Sequence, residues 1–116
     1  MRAILINPHI SDIKEIEVGD SIFDWYAPMK WLDFNIQTLA VVSSPWPNHD
    51  LYVDDEGLFK PGNKSFMLKH GHPEPLFGCG LLLGFNPKTG DSKSATIGLV
   101  DVQSAYMAMP FTTRVA

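Results

Sequence analysis

His70 and His72 stand two residues apart in His70-Gly71-His72-Pro73-Glu74-Pro75. On an extended chain both imidazoles point to the same side, because strand side chains alternate. With Glu74, His49 or Cys79 as a further ligand they would make a small metal site. No Cys-x-x-Cys or His-Glu-x-x-His pattern accompanies them, so they stand as metal candidates by spacing alone and no metal is assigned. Asp54, Asp55 and Glu56 follow one another directly in Leu51-Tyr52-Val53-Asp54-Asp55-Glu56-Gly57-Leu58-Phe59. They lack the spaced acids and distal glutamate of a calcium loop. What they offer is a concentrated negative corner, which steers a basic partner. Cys79, between Gly78 and Gly80 in an apolar run, becomes a nucleophile only if a base lowers its pKa; its setting is that of a buried thiol. Gly78, Gly80 and Gly84 have no following Lys-Ser or Lys-Thr and make no phosphate loop. No serine sits in a nucleophile elbow. The residues therefore hold no catalytic constellation and call for no cofactor.

Aromatic residues supply a different chemistry. Trp46 is held between Pro45 and Pro47, where the backbone is stiff. Such a tryptophan either plugs the end of a core or stands out as a binding anchor. Trp25, Tyr26 and Trp31 form the richest aromatic patch, which would serve as a stacking surface, a dimer interface or the core face of a helix.

The elements that must position these residues are legible from pattern. Ala3 to Ile6 is an apolar run closed by Asn7-Pro8, and Ile13 to Val18 alternates apolar and charged residues, together an N-terminal hairpin. Ile22 to Leu32 carries apolar residues at helical spacing behind Asp20 or Ser21 as an N-cap, with Pro28 breaking it. Phe34 to Val42 reads as a strand with Phe34, Ile36, Thr38, Ala40 and Val42 on one face. The strand Leu51 to Val53 runs into the acidic turn, where all three acids are expected in solvent and Gly57 reverses the chain with positive φ. Ser65 to Leu68 and Gly78 to Phe85 are further strands. Leu81, Leu82 and Leu83 run consecutively, so the latter is covered on both faces and lies centrally. Ala95 to Val100 fits a strand or a strand leading into a short helical turn, and Ala105 to Phe111 a closing strand. Together these predict one α+β domain over residues 1–116, a mostly antiparallel sheet of about five to seven strands with one main helix on a face.

Composition bounds the function. The 116 residues carry a formal net charge of −4 and no lysine or arginine cluster, which argues against nucleic-acid backbone binding. A lone cysteine cannot close an intramolecular disulfide, and no run approaches a membrane span, so a cytoplasmic setting is expected.

The acidic strand-turn Leu51 to Leu58, Asn63, Phe66, the segment Pro75-Leu76-Phe77-Gly78-Cys79-Gly80-Leu81-Leu82-Leu83-Gly84 and the opening Ala3-Ile4-Leu5-Ile6-Asn7-Pro8 resemble a family of small phage, plasmid and bacterial proteins, the domain of unknown function 3846. The resemblance implies an intracellular setting and a phage or mobile-element origin, and it carries over no catalytic residue. The expected function is a non-catalytic binding protein that masks a host protein, a basic one by charge, or sequesters a small ligand. Its contacts would be Trp46, Asp54, Asp55 and Glu56, with a homodimer as a further association. The alternative is a small metal-dependent enzyme built on the His70/His72 loop.

Overall fold

Nine strands and two short helices make up the described chain. The computed structural model describes residues 1–31 and 35–114. In order these are β1 (Arg2–Asn7), β2 (Asp12–Glu17), α1 (Phe23–Met29), β3 (Leu39–Ser43), β4 (His49–Asp54), a 3₁₀ turn (Gly57–Phe59), β5 (Lys64–Leu68), β6 (Leu76–Phe77), β7 (Gly80–Phe85), β8 (Ser92–Lys93), α2 (Leu99–Ala105) and β9 (Tyr106–Thr112).

The main sheet runs β2-β1-β7-β4-β3, with β8 also on β7, and every pairing is antiparallel. The β1–β2 hairpin forms as its sequence pattern requires, with Arg2 opposite Glu17 and Asn7 opposite Asp12. β7 is central, and Leu81, Leu82 and Leu83 are fully buried. Because strand side chains alternate, these three leucines serve two cores. Leu81 and Leu83 join Ala3, Leu5, Trp25 and Met29 under α1. Leu82 joins Ile4, Ile6, Leu51 and Val53 on the opposite face.

That second face is covered by a smaller sheet, β6-β5-β9, and by α2. Phe66 and Leu68 of β5, Leu76 of β6 and Val102 of α2 close this core. Gly80 makes the approach possible. A Cβ there would lie 2.7 Å from Phe66 Cζ and 3.1 Å from Leu51 Cδ1, so any side chain would push the layers apart.

The α+β class is as the sequence indicates, while the details correct it. Among the described residues there are two sheets instead of one, because β5, β6 and β9 pair among themselves while β7 and β8 join the main sheet. No strand forms over Ala95 to Gly98, and the closing strand begins at Tyr106, one residue later than expected. A second helix, α2, occupies Leu99–Ala105. Its buried stripe is short, with Val102 fully covered and Leu99 and Ala105 half-buried, too few positions to establish a helical period. α1 ends at Met29 with Pro28 in its last turn, short of the expected extent: Lys30 caps it in an extended conformation and Trp31 is not helical, while Leu32 itself lies outside the described residues. Ser21 and Asp24 hold its start: the Phe23 N–H donates to Ser21 Oγ (3.3 Å) and the Ser21 N–H to Asp24 Oδ2 (3.2 Å). The strand expected from Phe34 begins only at Leu39, and Phe34 itself is outside the described residues. Trp25 is 3% exposed, packs edge-on to Tyr52 and donates its indole N–H to Gly19 O (2.8 Å), so it belongs to the core and not to a stacking or dimer surface. Trp31 stacks on His9 at a centroid distance of 5.0 Å.

Leu81→Ala should cost roughly 2–5 kcal/mol of unfolding free energy, measured by chemical denaturation, because the tight layers cannot collapse onto the space left.

Candidate binding groove at the acidic corner

β4 ends at Asp54, and the chain turns through Asp55 and Glu56 into the 3₁₀ turn Gly57–Phe59. Asp54 Oδ1 accepts the Glu56 N–H (3.0 Å), a local bond that starts the turn. Its other oxygen forms an ion pair with Lys60, whose Nζ also donates to Asn35 O (2.8 Å). The two side chains are 9% and 13% exposed. Asp54 is therefore not the solvated acid that three consecutive carboxylates suggest. It is a largely covered structural charge whose partner lies six residues on, a pairing that sequence order alone does not select.

Gly57 plays a different part from the one expected. It is buried, and the positive-φ glycines are Gly62, Gly78 and Gly90. A Cβ at Gly57 would fall 2.3 Å from the Phe77 carbonyl oxygen, so the residue is small because β6 passes directly over it. Asn63 locks this contact in place. Its Nδ2 donates to Gly57 O (2.8 Å), its backbone N–H donates to Thr113 Oγ1 (2.8 Å), and its carbonyl accepts the Thr113 N–H (2.9 Å). The buried amide ties the acidic corner to the end of the described chain.

This arrangement leaves Leu58 and Phe59 in solvent, 60% and 82% exposed. They stand beside an open groove of about 290 Å³ lined by Val53, Asp54, Asp55, Leu58, Glu74, Pro75, Leu76 and Phe77. The floor is apolar and the rim acidic. Asp55, Glu56 and Glu74 are exposed and, among the described residues, take part in no ion pair. Glu74 joins Asp55 here because β6 crosses over the turn, a juxtaposition with no local sequence signal. Exposed large apolar residues bordered by charge mark interaction surfaces.

Trp46 is not part of this corner. It lies in the turn before β4, whereas Asp54 ends that strand, roughly 17 Å away along six residues. Trp46 is half-buried and packs against the core, the plugging arrangement. Ser44 holds its turn, with Oγ donating to His49 O (2.7 Å). The exposed edge of Trp46 borders a separate groove of about 330 Å³ with Pro45, Lys69, His70, Asp101, Ser104 and Ala105.

The metal candidates do not converge. His70 is exposed with φ of 64°, and His72 is half-buried on the same loop. Among the described residues no group of three His, Cys, Asp or Glu could hold a metal ion. His49 has both ring nitrogens engaged, Nδ1 with Pro47 O (2.9 Å) and Nε2 accepting the Thr96 N–H (3.0 Å). Cys79 is buried in the core beneath α1, and desolvation pushes its thiol up to about 12. It also borders a cavity of about 20 Å³ with Asp54, Lys60 and Asn63, room for one water and not for a substrate. No helix among the described residues is long and apolar enough to cross a membrane.

The neighbouring acids should separate on substitution. Asp54→Asn leaves Lys60 charged and nearly buried and should destabilise by roughly 3 kcal/mol, whereas Asp55→Asn should stay within about 0.5 kcal/mol in the same denaturation assay. Cys79, with a thiol pKa of about 12, should react with a disulfide reagent at pH 8 only as fast as the protein opens, and fully in denaturant.

No protein-family model, no curated protein and no solved structure matches this chain, and the reading of the groove rests on its own geometry.

Proposed function

We propose that the protein is a non-catalytic binder whose acidic, apolar-floored groove takes a basic amphipathic segment of a partner protein and masks it. The observation that carries this reading is the exposure of Leu58 and Phe59 beside the exposed carboxylates of Asp55 and Glu56, across the groove from Glu74. An apolar anchor of the partner would seat on Leu58, Leu76 and Phe77, and lysines or arginines flanking it would meet the rim. Desolvating the apolar floor supplies affinity, and the carboxylates supply orientation and association rate. With a net charge of −4 the whole molecule steers in the same direction. The groove is open and, at about 290 Å³, at the lower end of small-molecule pockets, which favours a protein segment over a sequestered ligand. The resemblance of the acidic turn and glycine-spaced strand to phage and plasmid proteins supports a host protein as the masked partner.

Fluorescence anisotropy with a labelled lysine–leucine amphipathic peptide tests the groove. Binding should weaken with salt and weaken about tenfold, ~1.4 kcal/mol, on Leu58→Ala. The Asp55→Asn, Glu74→Gln double variant should lose affinity and flatten the salt dependence, while Trp46→Ala changes neither. Affinity capture from host lysate should recover a basic protein lost with the same groove variants. Binding indifferent to Leu58, Asp55 and Glu74 would overturn the assignment. A co-purified small molecule with no protein partner would favour sequestration.

A further inference from the structure

An exposed sheet edge invites pairing with another strand, and proteins guard such edges with charge, proline, irregularity or shortness. Four of the edges here are guarded. β2 carries Asp12, Lys14, Glu15 and Glu17 along six residues. β9 contains Pro110, which has no N–H to offer, near a register shift against β5. β6 and β8 are two residues long. β3 has none of these devices: Leu39-Ala40-Val41-Val42-Ser43 is uncharged and proline-free, and it pairs with β4 in an uninterrupted register.

The hydrogen-bond phase of β3 says which groups are free. The Asp55 N–H donates to Thr38 O (3.1 Å), which makes residues 38 and 55 a hydrogen-bonded pair in the same register. Antiparallel pairs alternate, so Ala40 and Val42 turn their backbone groups toward β4, and Leu39, Val41 and Ser43 turn theirs outward. Among the described residues, no backbone bond from another segment reaches that outward row. Val41 is 55% exposed at its centre.

We propose that β3 is the interface for a second copy of this chain, the two edges pairing antiparallel about a two-fold axis at Val41 to continue the main sheet across the dimer. The geometry is self-complementary. With Val41 opposite its own counterpart, Leu39 faces Ser43 of the other copy and Ser43 faces Leu39. Each of these pairs exchanges two hydrogen bonds, because all three residues present both N–H and C=O outward. An isologous contact requires such self-matching. Charge favours this occupant as well. An acidic body repels its own copy except where both surfaces are neutral, and this edge is neutral; a basic partner would find no carboxylate on it. The apolar surface extends beyond the strand. The Tyr26 hydroxyl donates to Gln37 O (3.4 Å) just ahead of β3, and Phe23, edge-on to Tyr26, is 75% exposed.

Sedimentation of the full chain across a concentration series tests the pairing. The 12.9 kDa chain should shift toward twice that mass as concentration rises. Val41→Lys, which sets two ammonium groups against each other, and Ser43→Pro, which removes an outward N–H without touching the β4 ladder, should each raise the dissociation constant at least tenfold. Circular dichroism should match wild type, since neither side chain is buried. Val41→Cys should form an interchain disulfide on oxidation, while Ile10→Cys, 56% exposed elsewhere, should not. A wild-type monomer throughout the series would overturn the proposal, as would a dimer equally stable in Val41→Lys and Ser43→Pro.

Discussion

Covering β7 on both faces is the constraint on which the rest of the structure depends. Leu81, Leu82 and Leu83 are each fully buried on alternate sides of one strand, so neither face can be left to water. One side is closed by α1 through Trp25 and Met29, and the other by the small sheet through Phe66, Leu68 and Leu76. The small sheet of β5, β6 and β9 is thereby pressed onto the main sheet. Gly80 sets how close it comes.

The acidic corner follows from that closure. To bring the small sheet over β4 and β7, β6 must cross the turn that follows β4, and only a glycine at position 57 leaves room for the Phe77 carbonyl. Asn63 satisfies the Gly57 carbonyl that the crossing buries, and Thr113 in turn satisfies Asn63. Such a buried hydrogen-bonded network favours one arrangement, because a polar group left without its partner would be costly. Lys60 and Asp54 neutralise one another beside it. What then faces solvent is the residue set that local bonding leaves over: Leu58, Phe59, Asp55 and Glu56, with Glu74 brought alongside. The groove is a consequence of how the layers meet. Its chemistry is carried by side chains that the packing does not consume.

The two surfaces argued to make contacts lie on different parts of β3–β4. The groove opens at the Asp54 end of β4, and the outward row of β3 lies along the free edge of the same hairpin.

Much of the fold was legible because its signals are local. Ala3 to Ile6 and the unbroken Leu81–Leu83 run report burial through pattern alone, and each lies where its pattern put it. The alternation of Ile13 to Val18 marks a strand, but β2 is an edge with no buried residue, and Ile13 and Ile16 pack on opposite faces. The acidic turn was legible as a turn, and Trp46 as a core plug or an anchor. Other features were decided only by long-range packing. The helix α2 presents too few buried positions to register as a period, and the split into two sheets depends on which strands meet. The fate of Asp54 depends on Lys60, and the company of Asp55 on Glu74, nineteen positions on. His70 and His72 share a loop but find no further ligand among the described residues, because ligand geometry is set by the third dimension and not by spacing. Sequence by itself therefore determined which segments must be buried, through hydrophobic period and turn chemistry. Tertiary structure alone decided which charges are spent inside and which remain free, because an ion pair or an acidic rim exists only once distant segments are brought within a few ångströms.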